Sequence, residues 1–242
     1  MNYIRGVKLE KLTKELGYAA KLPAVRSLAE AEELAFTSTV IYFVGENGTG
    51  KSTLLEAIAV KYGFNAEGGS LNFSFSTKET HSPLHSAIKL VRGIERPKTG
   101  FFLRAESFYN AASYVDTLGS EILDVYGGVS LHELSHGESF FALVMNRFTD
   151  HGLYILDEPE AALSPSRQLS LLMRIKELAD NGSQFIIATH SPIVLACPNA
   201  DIYELSSKGI VKTAYEDTET YSVMKAFMDS PERMIDHLFE KE

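Results

Sequence analysis

The sequence predicts an α/β fold, a mostly parallel sheet flanked by helices, on three observations. Short apolar runs at Thr39 to Val44, Leu153 to Leu156 and Gln184 to Ala188 each end on polar or glycine residues, which is how strands buried on both faces of a parallel sheet read. Between the first run and a good helix-forming stretch lies a glycine-rich loop, Gly45 to Ser52. A length of 242 residues suits one large domain with a single extended core rather than two independent domains.

The first run is Thr39-Val-Ile-Tyr-Phe-Val44, β-branched and aromatic without charge. It leads into Gly45-Glu46-Asn47-Gly48-Thr49-Gly50-Lys51-Ser52 and then Thr53-Leu-Leu-Glu-Ala-Ile-Ala59. Strand, glycine loop and helix in this order form a phosphate cradle. The glycines let successive backbone N–H groups point into one concavity, and the positive end of the helix dipole adds to the attraction. Lys51 is expected to reach the β and γ oxygens of a nucleotide, the Ser52 hydroxyl to ligate Mg²⁺, and Thr53 to help hold the α-phosphate.

The second run ends in two carboxylates, Asp157 and Glu158, at the strand end where open α/β sheets place ligands. In a phosphate-loop enzyme the first acid completes the Mg²⁺ shell and the second orients and polarises the attacking water. The third run delivers Thr189-His190. His190 follows Asp157 by 33 positions, about one helix and one strand, so a neighbouring parallel strand can bring it beside the same site. Its expected task is to hydrogen-bond the γ-phosphate and the attacking water.

Leu134-Ser135-His136-Gly137-Glu138 precedes an apolar helical stretch with Phe140, Phe141, Leu143, Val144 and Phe148. By itself it reads as a helix N-cap with an acid in the first turn.

Taken together, the phosphate loop, Leu134 to Glu138 as a signature, Leu153 to Glu158 as a Walker B strand and His190 as a switch resemble the ATP-binding-cassette (ABC) ATPases over about residues 30 to 205. The run Asp157-Glu-Pro-Glu-Ala-Ala-Leu-Ser-Pro165 is similar to the soluble SMC and RecF-like branch, and Gly45-Glu-Asn-Gly48, Phe101 to Ser107 and Ser135 to Glu138 look like small standalone bacterial AAA-family ATPases. The resemblance implies hydrolysis of Mg-ATP in a head-to-tail homodimer, in which each phosphate loop faces Ser135 and Gly137 of the other copy. Hydrolysis would then drive a partner protein, with DNA maintenance and phage defence as the contexts it suggests. Two other readings stand beside this one, the ATP-binding subunit of a membrane transporter and a slow nucleotide-dependent switch.

Three departures matter. His136 stands where the usual signature has glycine, and Ser164 replaces the aspartate of the transporter-type D-loop. The usual Q-loop glutamine is missing, since the only glutamines are Gln168 and Gln184. In its place Glu106 or Ser107 is offered as a metal or water contact. The interval from Lys51 to Ser135 is 84 residues without a heptad pattern, too short for long coiled-coil arms.

The implied architecture is one ABC-type domain, with residues 1–80 and 150–215 as core, 81–149 as a helical signature subdomain and 216–242 as closing helices. Val7 to Glu10 alternates like a strand and could join residues 34 to 44 in an antiparallel edge sheet. Tyr18, Arg26 and Tyr42 are candidates for contacting the base, although an aromatic before a phosphate loop is as often core. Gly68-Gly69 reads as a turn before the alternating Leu71, Phe73 and Phe75, and Pro83 between His81 and His85 argues against a helix presenting both to a metal. Asp201 to Leu205 and Gly209 to Lys212 read as two strands, followed by helices around Ser222 to Met228 and Glu232 to Phe239.

No apolar run approaches the roughly 20 residues of a membrane helix, and the N-terminal region lacks a signal-peptide core. One cysteine, Cys197, excludes an internal disulfide and a thiolate zinc cluster. The cytoplasm is the expected compartment. Net charge is −9, with six Lys/Arg against two Glu in residues 1 to 28 and ten Asp/Glu against five Lys/Arg in residues 201 to 242. That balance argues against a mostly electrostatic nucleic-acid binder while leaving room for a local basic groove.

Overall fold

The computed structural model describes residues 2–12, 14–71, 82–104 and 136–239, and omits the side chains of Lys14 and His136. Residues 72–81 and 105–135, which include Phe73, Phe75, His81, Glu106, Ser107, His132 and Ser135, lie outside the described residues.

Among the described residues seven strands form the main sheet: β3 (Val40–Gly45), β4 (Gly69–Ser70), β6 (Thr99–Arg104), β7 (Gly152–Asp157), β8 (Gln184–Ala188), β9 (Asp201–Ser206) and β10 (Gly209–Thr213). Their spatial order is β10-β9-β3-β8-β7-β6-β4. The five central strands are parallel, while β10 and β4 add antiparallel edges. A three-stranded antiparallel sheet, β2-β1-β5, comprises β1 (Ile4–Leu9), β2 (Leu34–Ala35) and β5 (Ile88–Arg92).

Strands β3, β7 and β8 are buried almost throughout, and their two-residue period sorts side chains into two cores. Ile41 and Phe43 of β3, Leu153 and Ile155 of β7 and Ile186 of β8 face one layer. That layer holds α1 (Pro23–Glu30), α2 (Lys51–Tyr62) and the antiparallel sheet, through Val25, Leu54, Ile58, Val7 and Leu90. Tyr42, Val44, Tyr154, Leu156 and Ile187 face the opposite layer. There Phe140 and Val144 of α4 (His136–Arg147), Leu171 and Ile175 of α5 (Pro165–Asp180) and Val194 of α6 (Pro192–Leu195) complete the packing. Each buried side chain of this size stabilises by about 1.5–3 kcal/mol relative to exposure, so one sheet sandwiched between two layers is the arrangement that buries both of its faces.

The short helix α3 (Leu84–Ala87) leads directly into β5. The segment 81–149 was expected to be a helical subdomain, yet β5 and β6 lie inside it and pair within the two sheets. Residues 34 to 44 likewise divide, because β2 joins the antiparallel sheet and β3 the parallel one. The two strands expected at Asp201 to Leu205 and Gly209 to Lys212 are β9 and β10, paired antiparallel with Gly209 opposite Ser206. Helices α7 (Glu219–Asp229) and α8 (Pro231–Phe239) follow at the two places the sequence indicated.

Buried glutamine ties the two sheets together. Gln184 accepts a hydrogen bond from the Ile4 N–H at 2.8 Å and donates one to the Ile4 carbonyl at 2.7 Å. It occupies the start of β8, the end opposite Ala188 and His190. Its role is structural.

Candidate nucleotide-binding site

The parallel strands β3, β7 and β8 all deliver their C-terminal residues to one edge of the sheet, where Gly45, Asp157 and Ala188 leave the ladder. Gly45, Gly48 and Gly50 have φ of 122°, 81° and 103°, backbone that L side chains avoid. At Gly45 a Cβ would also lie 1.9 Å from the Leu205 carbonyl oxygen. The loop therefore turns through glycine and presses against β9. Its other flank rests on α1, where the Ala24 N–H donates to the Thr49 carbonyl at 3.2 Å.

Helix α2 starts at Lys51, so its first-turn N–H groups face the loop's concavity, an arrangement suited to an anion. Lys51 is 4% exposed. Its ammonium donates to the Gly45 and Glu46 carbonyls at 2.6 and 2.9 Å. Burial lowers its pKa from the ordinary lysine value, opposed by the negative charges of Glu158, Asp157 and Glu160. Thr49 is buried and donates its hydroxyl to the Glu46 carbonyl at 2.8 Å. Glu46, Asn47, Gly48 and Ser52 are exposed, and Thr53 is half-buried.

The Ser52 hydroxyl donates to Asp157 Oδ1 at 3.0 Å. A hydroxyl and a carboxylate in contact at a helix N-terminus supply two hard oxygen donors. Such a pair suits Mg²⁺, which takes few protein ligands and completes its shell with phosphate oxygens and water.

Glu158 follows Asp157 with φ of 49°, a left-handed conformation unusual for glutamate. The turn is held by the Glu158 N–H bond to the Ala188 carbonyl at 2.9 Å. It swings the carboxylate clear of the sheet, to within 3.7 Å of His190 Nε2, with both side chains about two-fifths exposed. That separation is too long for a direct hydrogen bond and fits two groups that address a third between them.

Lys51, Ser52, Asp157, Glu158 and His190 thus meet at one sheet edge. Gly137 lies in the first turn of α4, where a Cβ would sit 2.1 Å from the Ala162 carbonyl oxygen. It is glycine because a backbone passes there. Ser135 and Glu106 lie outside the described residues. Tyr42, one candidate for contacting the base, is fully buried and donates to the Val194 carbonyl at 2.6 Å; it is core. Tyr18 and Arg26 are exposed.

Two acidic residues escaped the sequence reading. Glu56, one turn after Ser52, is buried, pairs with Arg104 at 2.6 Å and accepts the Ser82 N–H at 2.8 Å. Arg104 ends β6 opposite Asp157, so this pair ties α2 to the strand beside the carboxylates. Glu160 accepts the backbone N–H groups of His190 and Ser191. Only an acid inside a helix otherwise rich in Leu and Ala hinted at the first, and nothing local marked the second.

Residues 89–196 match the family described as "AAA domain, putative AbiEii toxin, Type IV TA system", and residues 21–90 match one described as "AAA domain". The chain is 26% identical over 271 aligned positions to the ribose import ATP-binding protein RbsA of Yersinia pestis, covering all of this chain and 49% of that protein. It is 29% identical over 176 positions to the cytochrome c biogenesis ATP-binding export protein CcmA of Aliivibrio fischeri, covering 68% of this chain and 86% of that one. Among solved structures it is similar to the SMC head domain from Thermotoga maritima, with 18% identity, a TM-score of 0.44, and 88% and 100% of the two chains covered. The chain spans about half the length of the ribose import relatives it matches.

Proposed function

We propose that this chain is a P-loop ATPase of the ABC class that binds Mg-ATP at Gly45 to Thr53 and hydrolyses it with Glu158 and His190, a reading supported by the AAA-domain matches and the ATP-binding relatives. The observation that carries this reading is the placement of the Glu158–His190 pair beside Ser52 and Asp157. The loop N–H groups and Lys51 hold the phosphates, with the ammonium exchanging its carbonyl partners for β and γ oxygens. Ser52 and Asp157 would hold Mg²⁺, which would neutralise charge on the phosphates. Glu158 accepts a hydrogen bond from the attacking water and orients it in line with the γ-phosphorus, and His190 steadies the γ-phosphate.

The site is open on the side of Glu46, Asn47, Gly48 and Ser52. In the proposed head-to-tail homodimer a second copy closes that side through Ser135 and the start of α4. Closure excludes water and lends the γ-phosphate another helix N-terminus. Dimer opening after hydrolysis is the stroke passed to an effector protein, and a family description that mentions a toxin–antitoxin system supports a defence context. No helix among the described residues is long and apolar enough to cross a membrane.

Glu158→Gln is the test. The expected result is loss of ATP turnover with ATP binding retained, and an ATP-dependent dimer visible by sedimentation. Undiminished turnover, together with a monomer at saturating ATP, overturns the proposal.

The import and export relatives favour a second reading, an ATP-binding subunit that docks on a membrane permease. Recovery of a multi-span partner with the tagged chain from membranes supports it. Recovery without one returns to the first reading.

A further inference from the structure

We infer that Glu160 is a positioning residue for His190, holding the switch segment by its backbone. The inference rests on the hydrolytic reading above and extends it to a residue outside the proposed nucleotide and metal contacts.

The chain leaves β8 at Ala188 and reaches α6 at Pro192. The amides between them need partners outside the strand ladder. One carboxylate oxygen of Glu160 accepts the His190 N–H at 2.6 Å and, at 3.2 Å, the Ser191 N–H, which it shares with Thr189 Oγ1 at 3.0 Å. Hydrogen bonds to an ionised acceptor are roughly twice as strong as neutral ones, so this carboxylate fixes the peptide that carries the histidine.

Two further side chains fasten the same segments. The Ser191 hydroxyl donates to Gln168 Oε1 at 2.6 Å, and Gln168 Nε2 donates to the Leu163 carbonyl at 2.9 Å. Ser191 Oγ also caps α6 by accepting from Ile193 and Val194. The loop from Glu160 to Leu163 is itself taut, with the Leu163 N–H bonded to the Glu160 carbonyl at 2.8 Å. On its far side Ala162 packs against Gly137. The loop thus lies between the first turn of α4 and the switch histidine.

The other carboxylate oxygen, Oε2, is buried without a hydrogen-bond partner. Leaving a buried oxygen unsatisfied is destabilising. A side chain retained for packing alone would not need it. The cost is consistent with a residue kept for where it places His190.

Three variants test the assignment by steady-state ATPase kinetics and by amide hydrogen exchange at His190 and Ser191. Glu160→Ala is expected to lower kcat by about tenfold or more with KM for Mg-ATP within about twofold, and to speed exchange at the His190 amide by about tenfold, with a smaller change at Ser191, whose N–H keeps Thr189 Oγ1. Glu160→Gln keeps an acceptor oxygen and should restore both readouts to within about threefold of the unmodified chain. Glu160→Asp keeps the charge but is one methylene short, and should behave as the alanine variant; it also serves if alanine does not fold. Wild-type kcat and exchange in Glu160→Asp overturn the inference, as does a Gln variant as impaired as Ala, or a KM rise at unchanged kcat. If the unmodified chain turns over no ATP, the hydrolytic reading fails, and exchange alone decides whether Glu160 holds the His190 segment.

Discussion

The Ser52 hydroxyl meets Asp157 Oδ1 at 3.0 Å across a separation of 105 residues. The contact joins the first turn of α2 to the end of β7 and brings together the two oxygens proposed to hold Mg²⁺.

Asp157→Asn keeps the shape and the contact while removing the charge. Half-saturating Mg²⁺ for ATP turnover should rise by about tenfold or more, since hard cations depend on anionic oxygen ligands. The thermal midpoint should move little. A Mg²⁺ titration of the ATPase rate checks the first, and a melting curve the second.

Gly137→Ala places a methyl group 2.1 Å from the Ala162 carbonyl oxygen, and neither backbone can yield without moving α4 or the loop that carries Glu160. A loss of about 1–3 kcal/mol is expected, the usual range for overpacking. It should be accompanied by slower turnover. Denaturant melts and kcat measured on the same preparation test both.

Arg104→Ala leaves Glu56 buried without its 2.6 Å partner. Removing one member of such a pair costs about 3–5 kcal/mol. The double variant Arg104→Ala, Glu56→Ala should lose less than the sum of the single losses, by about 1–3 kcal/mol. A thermodynamic cycle in urea measures that coupling, and strict additivity would contradict the pairing.

Asp201 is a pH-dependent strut between β9 and the segment before β3. Burial works against its charge, but Lys212 at 2.6 Å and the N–H groups of Ser38 and Thr37 outweigh it and hold its pKa below the usual carboxylate value. A depressed folded pKa contributes stability that is full above the unfolded value, about 3.9, and disappears as pH falls through the lower folded value. Asp201→Asn should therefore cost about 2 kcal/mol at pH 7. Its deficit should shrink as pH drops below about 4, which melts from pH 7 to pH 3 would follow.

Strands β3, β7 and β8 were legible because each is buried on both faces and so written as a continuous apolar run. Their local environment is the same whichever neighbours they take. Strands β5 and β6 were harder to place. Phe101 to Arg104 reads as a strand, but its pairing with β7 joins residues about 50 positions apart, and no local pattern says which sheet will accept it. Tyr42 shows the converse. An aromatic before a phosphate loop suits a base or a core equally, and only the depth of β3 between two layers chose the core.

The sequence by itself determined the glycine loop, the helix that starts at Lys51, and the acid pair and histidine at the ends of apolar runs, because strand period, glycine φ and helix initiation are properties of a few consecutive residues. Tertiary structure alone decided that Ser52 touches Asp157, that Glu158 turns toward His190, that Gly137 lies against Ala162 and that Glu160 holds the His190 amide. Each of these contacts is set by which strands are neighbours and in what register. Sheet order is a competition among distant segments for the same buried edges, and it is settled only when the whole core packs.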